Sequence, residues 1–183
     1  CVVGGGYWGN NHIRTLYEFG CLGGIVETNQ DTLNRFAEQY PNVKGFSSLD
    51  EALQEKSFLG FTVATPAATH YLLAKKIIEA GKHVLVEIPM ADNLADAEAL
   101  VAVQQETGRV GMVGHTRRFN PSHQWVHNRI KAGELSIQQM DVQTYFFRRS
   151  NINALGQKRS WTDHLLWHHA CHTVDLFQYH TGE

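Results

Sequence analysis

Gly4, Gly6 and Gly9, near the start of the chain, follow the spacing G-x-G-x-x-G. A short apolar run precedes them and a helical pattern follows. In such a motif the first glycine permits a tight turn, the second lets the backbone approach a pyrophosphate, and the third lets helix and strand pack closely. The helix N-terminus then offers N–H groups to the phosphates. The chain holds 16 glycines, so the surrounding strand and helix give the motif its weight.

An acidic residue follows at the distance that a dinucleotide site requires. Glu27 lies 18 positions after Gly9, at the end of a second predicted strand. A carboxylate at this place accepts hydrogen bonds from the adenosine ribose and repels the 2′-phosphate of NADP, which favours NAD. The alternative is a glycine-rich turn followed by an ordinary surface glutamate.

Histidines are abundant, with 11 in the chain and five of them between residues 164 and 180. His168 and His172 are four positions apart on a predicted helix and therefore share one face. Histidine accepts protons near neutral pH, so His172 is the predicted general base. His168 and Asp163 are predicted helpers, and Asp175 is placed to orient or polarise His172.

Two other interpretations of the histidines stay open. The first is a set of core histidines satisfied by backbone groups, which we favour for His169 and His180. The second is a zinc site, because His164, His168 and His172 repeat every four residues beside Cys171. We predict no metal here, because zinc would need three or four converging ligands.

Arginines are natural partners for a substrate carboxylate, because the planar guanidinium matches its two oxygens. Arg117 and Arg118 follow the last predicted strand of a parallel sheet, the edge at which such sheets bind ligands. Arg148 and Arg149 are neighbours in an alternating segment, so at most one of them, taken as Arg148, faces the site. Trp161 is a predicted pocket wall. Surface salt bridges are the alternative for each arginine.

The elements that must position these residues alternate between strand and helix. Apolar runs predict strands over residues 2–3, 22–26, 58–64, 83–86 and 110–113. Helical patterns cover residues 10–19, 31–40, 49–53, 69–80 and 93–107. Strands that alternate with helices imply right-handed crossovers, so the fold class is α/β with a doubly wound parallel sheet.

The pattern changes after residue 114. A helix is predicted over residues 121–132, an alternating strand over 137–149 and a second helix over 165–179. We therefore predict a dinucleotide-binding domain over residues 1–115 and part of a second domain over residues 116–183. Because the chain begins without Met and inside a strand, we expect it to be a fragment.

Composition excludes several classes of protein. The net charge is −2, which gives no reason to expect nucleic acid or an anionic membrane as partner. No apolar run approaches the ~20 residues that span a bilayer, and no basic leader resembles a signal peptide. Three widely spaced cysteines do not form a disulfide framework, so we expect a reducing cytoplasm.

Four segments together resemble the glucose–fructose oxidoreductase/inositol dehydrogenase/MocA family. They are residues 4–9, residues 64–66 with His70, residues 80–84 and residues 86–89. The resemblance implies a Rossmann domain followed by an α+β substrate domain on a large open sheet, with hydride passing between a nicotinamide and an alcohol or sugar. The implied cofactor contacts beyond the glycines and Glu27 are Tyr7, Trp8, Thr28, Thr65, Pro66, His70, Glu87, Ile88, Pro89 and His115.

The second half resembles a narrower group, the 4-carboxy-2-hydroxymuconate semialdehyde dehydrogenases of protocatechuate catabolism. The segments that carry this likeness are residues 114–121, 144–149 and 160–169. These enzymes oxidise a cyclic hemiacetal to 2-pyrone-4,6-dicarboxylate and are NADP-linked, whereas Glu27 favours NAD. The wider family has lysine where this chain has Ile88, and the muconate enzymes share the isoleucine. In the family motif Asp-x-Gly-x-His-x-x-Asp, His172 and Asp175 match the last two marked positions and His168 replaces the first.

Two alternative functions stay open from the sequence. One is a nucleotide-sugar or polyol dehydrogenase of the same family, and the other is a non-catalytic dinucleotide-binding regulatory protein, supported by Ile88. In each enzymatic interpretation the partner is a small molecule, and for the muconate semialdehyde it is a dicarboxylate. The resemblance also implies a homo-oligomer in the full-length protein.

Overall fold

A computed structural model of the chain describes residues 1–145, 167 and 169–182. The chain divides into two compact units, Cys1–Gly114 and His115–Glu183, called unit 1 and unit 2 below. Every residue of unit 1 is described. Within the described ranges, no helix is both long and apolar enough to cross a membrane.

Unit 1 is built on one sheet of six parallel strands. The strands are β1 (Val2–Val3), β2 (Gly24–Val26), β3 (Lys44–Phe46), β4 (Gly60–Val63), β5 (His83–Val86) and β6 (Gly111–Val113). Their order across the sheet is β3-β2-β1-β4-β5-β6. This is the doubly wound Rossmann order, in which ligands bind outside the carboxyl ends of the strands where β1 meets β4. The predicted fold class is confirmed.

Five helices connect these strands. They are α1 (Tyr7–Glu18), α2 (Gln30–Gln39), α3 (Leu49–Leu53), α4 (His70–Glu79) and α5 (Leu94–Thr107), with a 3-10 turn over Ala67–Thr69 before α4. Asn29, Ser48 and Asn93 cap α2, α3 and α5, because each side chain accepts a hydrogen bond from an N–H group of the first helical turn. Gly108 ends α5 in the left-handed conformation, at φ +62°.

The central strands of the sheet are buried on both faces. Val2 belongs to a cluster with Ile13 of α1 and Phe36 of α2. Val3, the next residue, belongs to the second cluster, which includes residues of α3, α4 and α5. Successive side chains of a strand point to opposite faces, so a two-residue strand is enough to anchor both layers of helices.

Unit 2 contains a 3-10 helix over Thr116–Phe119 and two α-helices, α6 (Pro121–Lys131) and α7 (Cys171–Thr181), in its described part. Asn120 caps α6, and Pro121 occupies the first helical turn, where its missing N–H costs nothing. The ring of His127 on α6 stacks on Tyr179 of α7, with centroids 3.9 Å apart.

Apart from shifts of a few residues at the ends of elements, the structure differs from the prediction in three places. Strand β3 was not predicted, because Lys44-Gly45-Phe46 is a short edge segment without an apolar pattern that forms by pairing with β2. The strand predicted over residues 137–149 is wrong over residues 137–145, which pair with no strand among the described residues. A sequence that alternates apolar and polar residues does not by itself provide the hydrogen-bond partners that a strand's backbone needs. The helix predicted from residue 165 has a turn at residues 169–170, and α7 begins only at Cys171.

Candidate functional site

The glycine loop between β1 and α1 is packed too tightly for side chains at two of its predicted positions. Gly4 has φ +96°, and a Cβ there would lie 2.7 Å from the Ala64 carbonyl oxygen. A Cβ at Gly9 would lie 1.9 Å from the Gly4 carbonyl oxygen. The loop therefore folds back against both the end of β4 and the first turn of α1, as the spacing predicts.

Gly6 has a different environment. A Cβ at this position would meet no atom within 4 Å, and its φ of −69° is open to any residue. Gly6 is also the N-cap of α1, so the first turn of the helix directs its N–H groups into the same open space. Tyr7 and Trp8 are 70% and 61% exposed and leave the loop open. The cradle fits the pyrophosphate of a dinucleotide.

Glu27 is held against this loop at the end of β2. Its Oε2 accepts a hydrogen bond from the Gly5 backbone N–H at 2.7 Å, and its Oε1 accepts one from the Asn29 N–H at 2.9 Å. The Thr28 hydroxyl donates to the same Oε1 at 3.5 Å. Glu27 thus ties the loop to β2 through a fixed carboxylate.

Gly5 belongs to this arrangement, although the sequence motif does not single it out. A Cβ there would lie 2.4 Å from the Phe36 ring and 2.9 Å from Glu27 Oε2. The run of three consecutive glycines was the available signal, since the motif itself explains only two of them.

The segments after β4 and β5 are joined through His70. This histidine is buried, and its Nδ1 and Nε2 lie 2.8 Å from the carbonyl oxygens of Pro89 and Thr65. Next to it, the hydroxyls of Thr65 and Thr69 are 2.7 Å apart. Both ring nitrogens of His70 therefore have partners within the protein. These contacts hold the backbone of the two loops in place. Direct contacts of His70, Thr65, Pro66 and Pro89 with a cofactor stay predictions.

Glu87 comes directly after β5 at the same edge of the sheet. Its backbone N–H donates to the Val63 carbonyl at 2.9 Å, and its Oε1 lies 2.6 Å from Nε2 of His12 on α1. Ile88 follows, half-buried. His12 was missed by the sequence analysis, because its partner lies 75 positions away.

In unit 2 the predicted site residues Arg118 and Asp175 form a bidentate ion pair. Nε and Nη2 of Arg118 donate to the Asp175 carboxylate at 2.9 and 2.6 Å. The pKa of Arg118 rises because of these hydrogen bonds. Asp175 is buried, so the pair fixes the start of unit 2 against α7.

His115 lies beside the same pair. Its Nδ1 is 3.7 Å from Asp175 Oδ1, and its ring stands edge-on to that of His172 with centroids 6.3 Å apart. Burial lowers the pKa of His115, with Asp175 acting in the opposite direction and Arg118 in the same direction. The structure therefore brings His115, His172, Asp175 and Arg118 together in one half-buried cluster.

Arg117 is a further predicted site residue of unit 2. Arg117 is half-buried, and its charge acts on the Cys171 thiol, whose pKa is raised chiefly by burial. Cys1, Cys21 and Cys171 are not joined in a disulfide. No metal-binding group of three or more side chains occurs in the part of the chain that the structure describes. The remaining predicted site residues lie outside the described residues: Arg148, Trp161, Asp163 and His168.

Curated relatives of known activity match this chain. It is 51% identical over 184 residues to the 4-carboxy-2-hydroxymuconate-6-semialdehyde dehydrogenase of Sphingobium sp. strain SYK-6, across 100% of the chain and 58% of the relative. It is 29% identical over 125 residues to the UDP-N-acetylglucosamine 3-dehydrogenase of Acidithiobacillus ferrooxidans, across 68% of the chain and 39% of the relative. The chain thus spans little more than half the length of the first relative.

Solved structures share the fold. The WlbA dehydrogenase of Bordetella pertussis, in complex with NADH and UDP-GlcNAcA, superposes with a TM-score of 0.67 and 30% identity over 72% of this chain and 39% of that one. GenD2 of gentamicin A biosynthesis, in complex with NAD, gives a TM-score of 0.65 and 32% identity over 69% of this chain and 37% of that one.

Two family profiles match adjacent parts of the sequence. Residues 1–115 match the oxidoreductase family with an NAD-binding Rossmann fold, and residues 121–183 match the C-terminal region of bacterial oxidoreductases. Together they agree with the six-stranded sheet and with the glycine loop. The chain belongs to the glucose–fructose oxidoreductase/inositol dehydrogenase/MocA family of oxidoreductases, as its sequence motifs predict.

Proposed function

We propose that the protein is a nicotinamide-dependent dehydrogenase that oxidises the cyclic hemiacetal of 4-carboxy-2-hydroxymuconate semialdehyde to 2-pyrone-4,6-dicarboxylate. The observation that carries the proposal is the 51% identity, along the whole chain, to the enzyme named for that semialdehyde. Three cysteines without a disulfide are compatible with a reducing cytoplasm.

NAD is the cofactor we propose. A bound nicotinamide supplies the acceptor for the hydride. On the protein side, the open cradle at Gly6 accommodates the pyrophosphate, and the fixed carboxylate of Glu27 accepts hydrogen bonds from the adenosine ribose. The same carboxylate opposes a 2′-phosphate by charge repulsion.

His172 is the proposed proton acceptor. Oxidation of a hemiacetal removes a hydride from carbon and a proton from the hydroxyl group, and a positioned imidazole takes the proton. His172 is half-buried, and its ring stands edge-on to that of His115, which lies beside the Arg118–Asp175 ion pair. Asp163 and His168 complete the proposal as helpers.

Arginines are proposed to bind the two carboxylates of the substrate. Arg117 is the first candidate in unit 2, because the Arg118 guanidinium is already bound by Asp175. Arg118 would have to share its outer N–H groups with a substrate carboxylate, which its 38% side-chain exposure permits. Arg148 and Trp161 are further proposed contacts.

The decisive assay measures nicotinamide reduction with 4-carboxy-2-hydroxymuconate semialdehyde, with NAD and NADP in parallel and a panel of UDP-sugars beside it. We expect turnover of the semialdehyde alone, with NAD preferred. Turnover only with UDP-sugars would contradict the proposed substrate. The assignment to the oxidoreductase family would still hold. Binding of NADH without any turnover would favour a regulatory protein.

Two variants test the assigned residues in the same assay. His172→Asn should lower turnover by roughly 100-fold while NADH affinity is kept, because only the proton acceptor is lost. Glu27→Gln keeps an oxygen for the Gly5 N–H and removes the charge, so the NAD preference should fall by roughly tenfold. Unchanged turnover in the first variant, or unchanged preference in the second, would contradict the respective role.

A further inference from the structure

Two carboxylates flank the glycine loop at the carboxyl edge of the sheet. Glu27 follows β2, which lies next to β1 on one side, and Glu87 follows β5, which lies beyond β4 on the other. The ends of β2 and β5 are separated by three strand spacings, or roughly 14 Å at about 4.8 Å per step. A dinucleotide centred on the loop has one ribose on each side of its pyrophosphate. Its second ribose therefore extends towards the β4–β5 side.

The Glu87 carboxylate is held from a distant part of the chain. His12 lies in the second turn of α1, three residues after Gly9, and its Nε2 is 2.6 Å from Glu87 Oε1. The two side chains are 25% and 13% exposed, so the contact is largely shielded from water. A charge-assisted hydrogen bond of this length restricts the carboxylate to one orientation.

The second oxygen of this carboxylate faces the backbone of another strand end. A Cβ at Gly114, just after β6, would lie 3.1 Å from Glu87 Oε2. Among the described residues no hydrogen bond is recorded to Oε2, while Oε1 is used by His12. Ile88 supplies no charge next to Glu87, so His12 is the polar partner that the fold provides for it.

We infer that His12 is a positioning residue, which fixes Glu87 so that Oε2 accepts a hydrogen bond from the nicotinamide-side ribose of the cofactor. The inference rests on the proposed dinucleotide function. Glu27 and Glu87 then serve the two riboses of one cofactor, one on either side of the glycine loop. His12 acts only through Glu87 and touches neither substrate nor the reacting atoms.

Binding of NADH and of ADP, measured by calorimetry on the purified protein, tests this role. ADP carries the adenosine ribose and the pyrophosphate and lacks the second ribose. His12→Phe removes the donor and keeps a ring, whereas His12→Gln keeps an N–H group near the position of Nε2. Arg14→Gln, on the exposed side of the same helix, is the matched control.

We expect His12→Phe to weaken NADH binding roughly tenfold and to leave ADP binding within about twofold, with His12→Gln close to the wild type. Glu87→Gln should also weaken NADH selectively, which keeps the test decisive if His12→Phe does not fold. Equal losses for NADH and ADP, or no loss for either, would overturn the inference. Failure of the wild-type protein to bind NADH or ADP would instead overturn the proposed cofactor.

Discussion

At the scale of single residues, Gly6 and Gly9 belong to one motif but differ in the space around their Cβ positions. Gly9 has no room for a Cβ, because the Gly4 carbonyl oxygen would be 1.9 Å away. Gly6 has room on the protein side, since nothing lies within 4 Å of its Cβ position. Glycine is therefore required at position 9 for folding, and we propose that at position 6 it is required by the ligand.

Alanine at each position separates these two requirements. Gly9→Ala should lower the free energy of unfolding by roughly 2–3 kcal/mol, because backbone must shift to relieve the overlap. Gly6→Ala should leave the melting temperature close to that of the wild type and weaken NADH binding, because its methyl group enters the space of the pyrophosphate. Thermal unfolding and NADH titration of both variants test this. Equal stability of the two variants would contradict it.

At the scale of elements, α6 and α7 are joined by histidines rather than by an apolar seam alone. Nε2 of the buried His180 is 3.4 Å from Nδ1 of His123, and Nδ1 of His127 is 2.6 Å from the Tyr179 carbonyl oxygen. The pKa of His180 is lowered, first by burial and then by His123 and His127. His180 is buried, as the core interpretation predicts, but Nε2 of its ring meets the His123 side chain and not a backbone group.

The packing of these helices should therefore weaken in acid. His180 titrates near pH 6.5 when unfolded and at lower pH when folded, so its contribution is fully present above about pH 6.5. It is lost as the pH falls below that value, because the unfolded state then takes up the proton first. Urea unfolding followed by tryptophan fluorescence, at about pH 7.5 and 5.5, should show this loss. His180→Leu should reduce the dependence of the free energy of unfolding on pH. If that dependence is unchanged in the variant, His180 is not its cause.

At the scale of the whole molecule, the predicted dinucleotide contacts of the glycine loop, Glu27, Glu87 and their neighbours lie in unit 1. Its sheet is covered on both faces by two apolar clusters. These clusters position the loops at the carboxyl edge without contributing polar groups of their own. The exception among the predicted contacts is His115, which begins unit 2.

A bound dinucleotide should stabilise the protein by mass action. At a free NADH concentration 100 times its dissociation constant, the free energy of unfolding should rise by about 2.7 kcal/mol, because only the folded loop binds. Calorimetric melting with and without NADH measures the rise. At the same NADH concentration Gly6→Ala should show a smaller rise. A melting temperature that does not respond to NADH would contradict the site.

Most of unit 1 could be predicted from its sequence. Its signals are local: the spacing of Gly4, Gly6 and Gly9 specifies the turn before α1, and Ser48 predicts α3 over Leu49–Leu53 as observed. Caps, turns and apolar periodicity act over a few residues, so they can be recognised without knowledge of the fold. The alternation of strands and helices then restricts the sheet to parallel arrangements.

Contacts between groups that are distant in the sequence could not be predicted and follow from the folded structure. His12 and Glu87 are 75 positions apart, and Arg118 and Asp175 are 57 apart. Strand β3 forms because β2 offers it hydrogen bonds, whereas residues 137–145 have an alternating pattern and no paired strand among the described residues. Local pattern gives a segment a preference, and the order of the sheet and the packing of helices supply the partner that satisfies or overrides it.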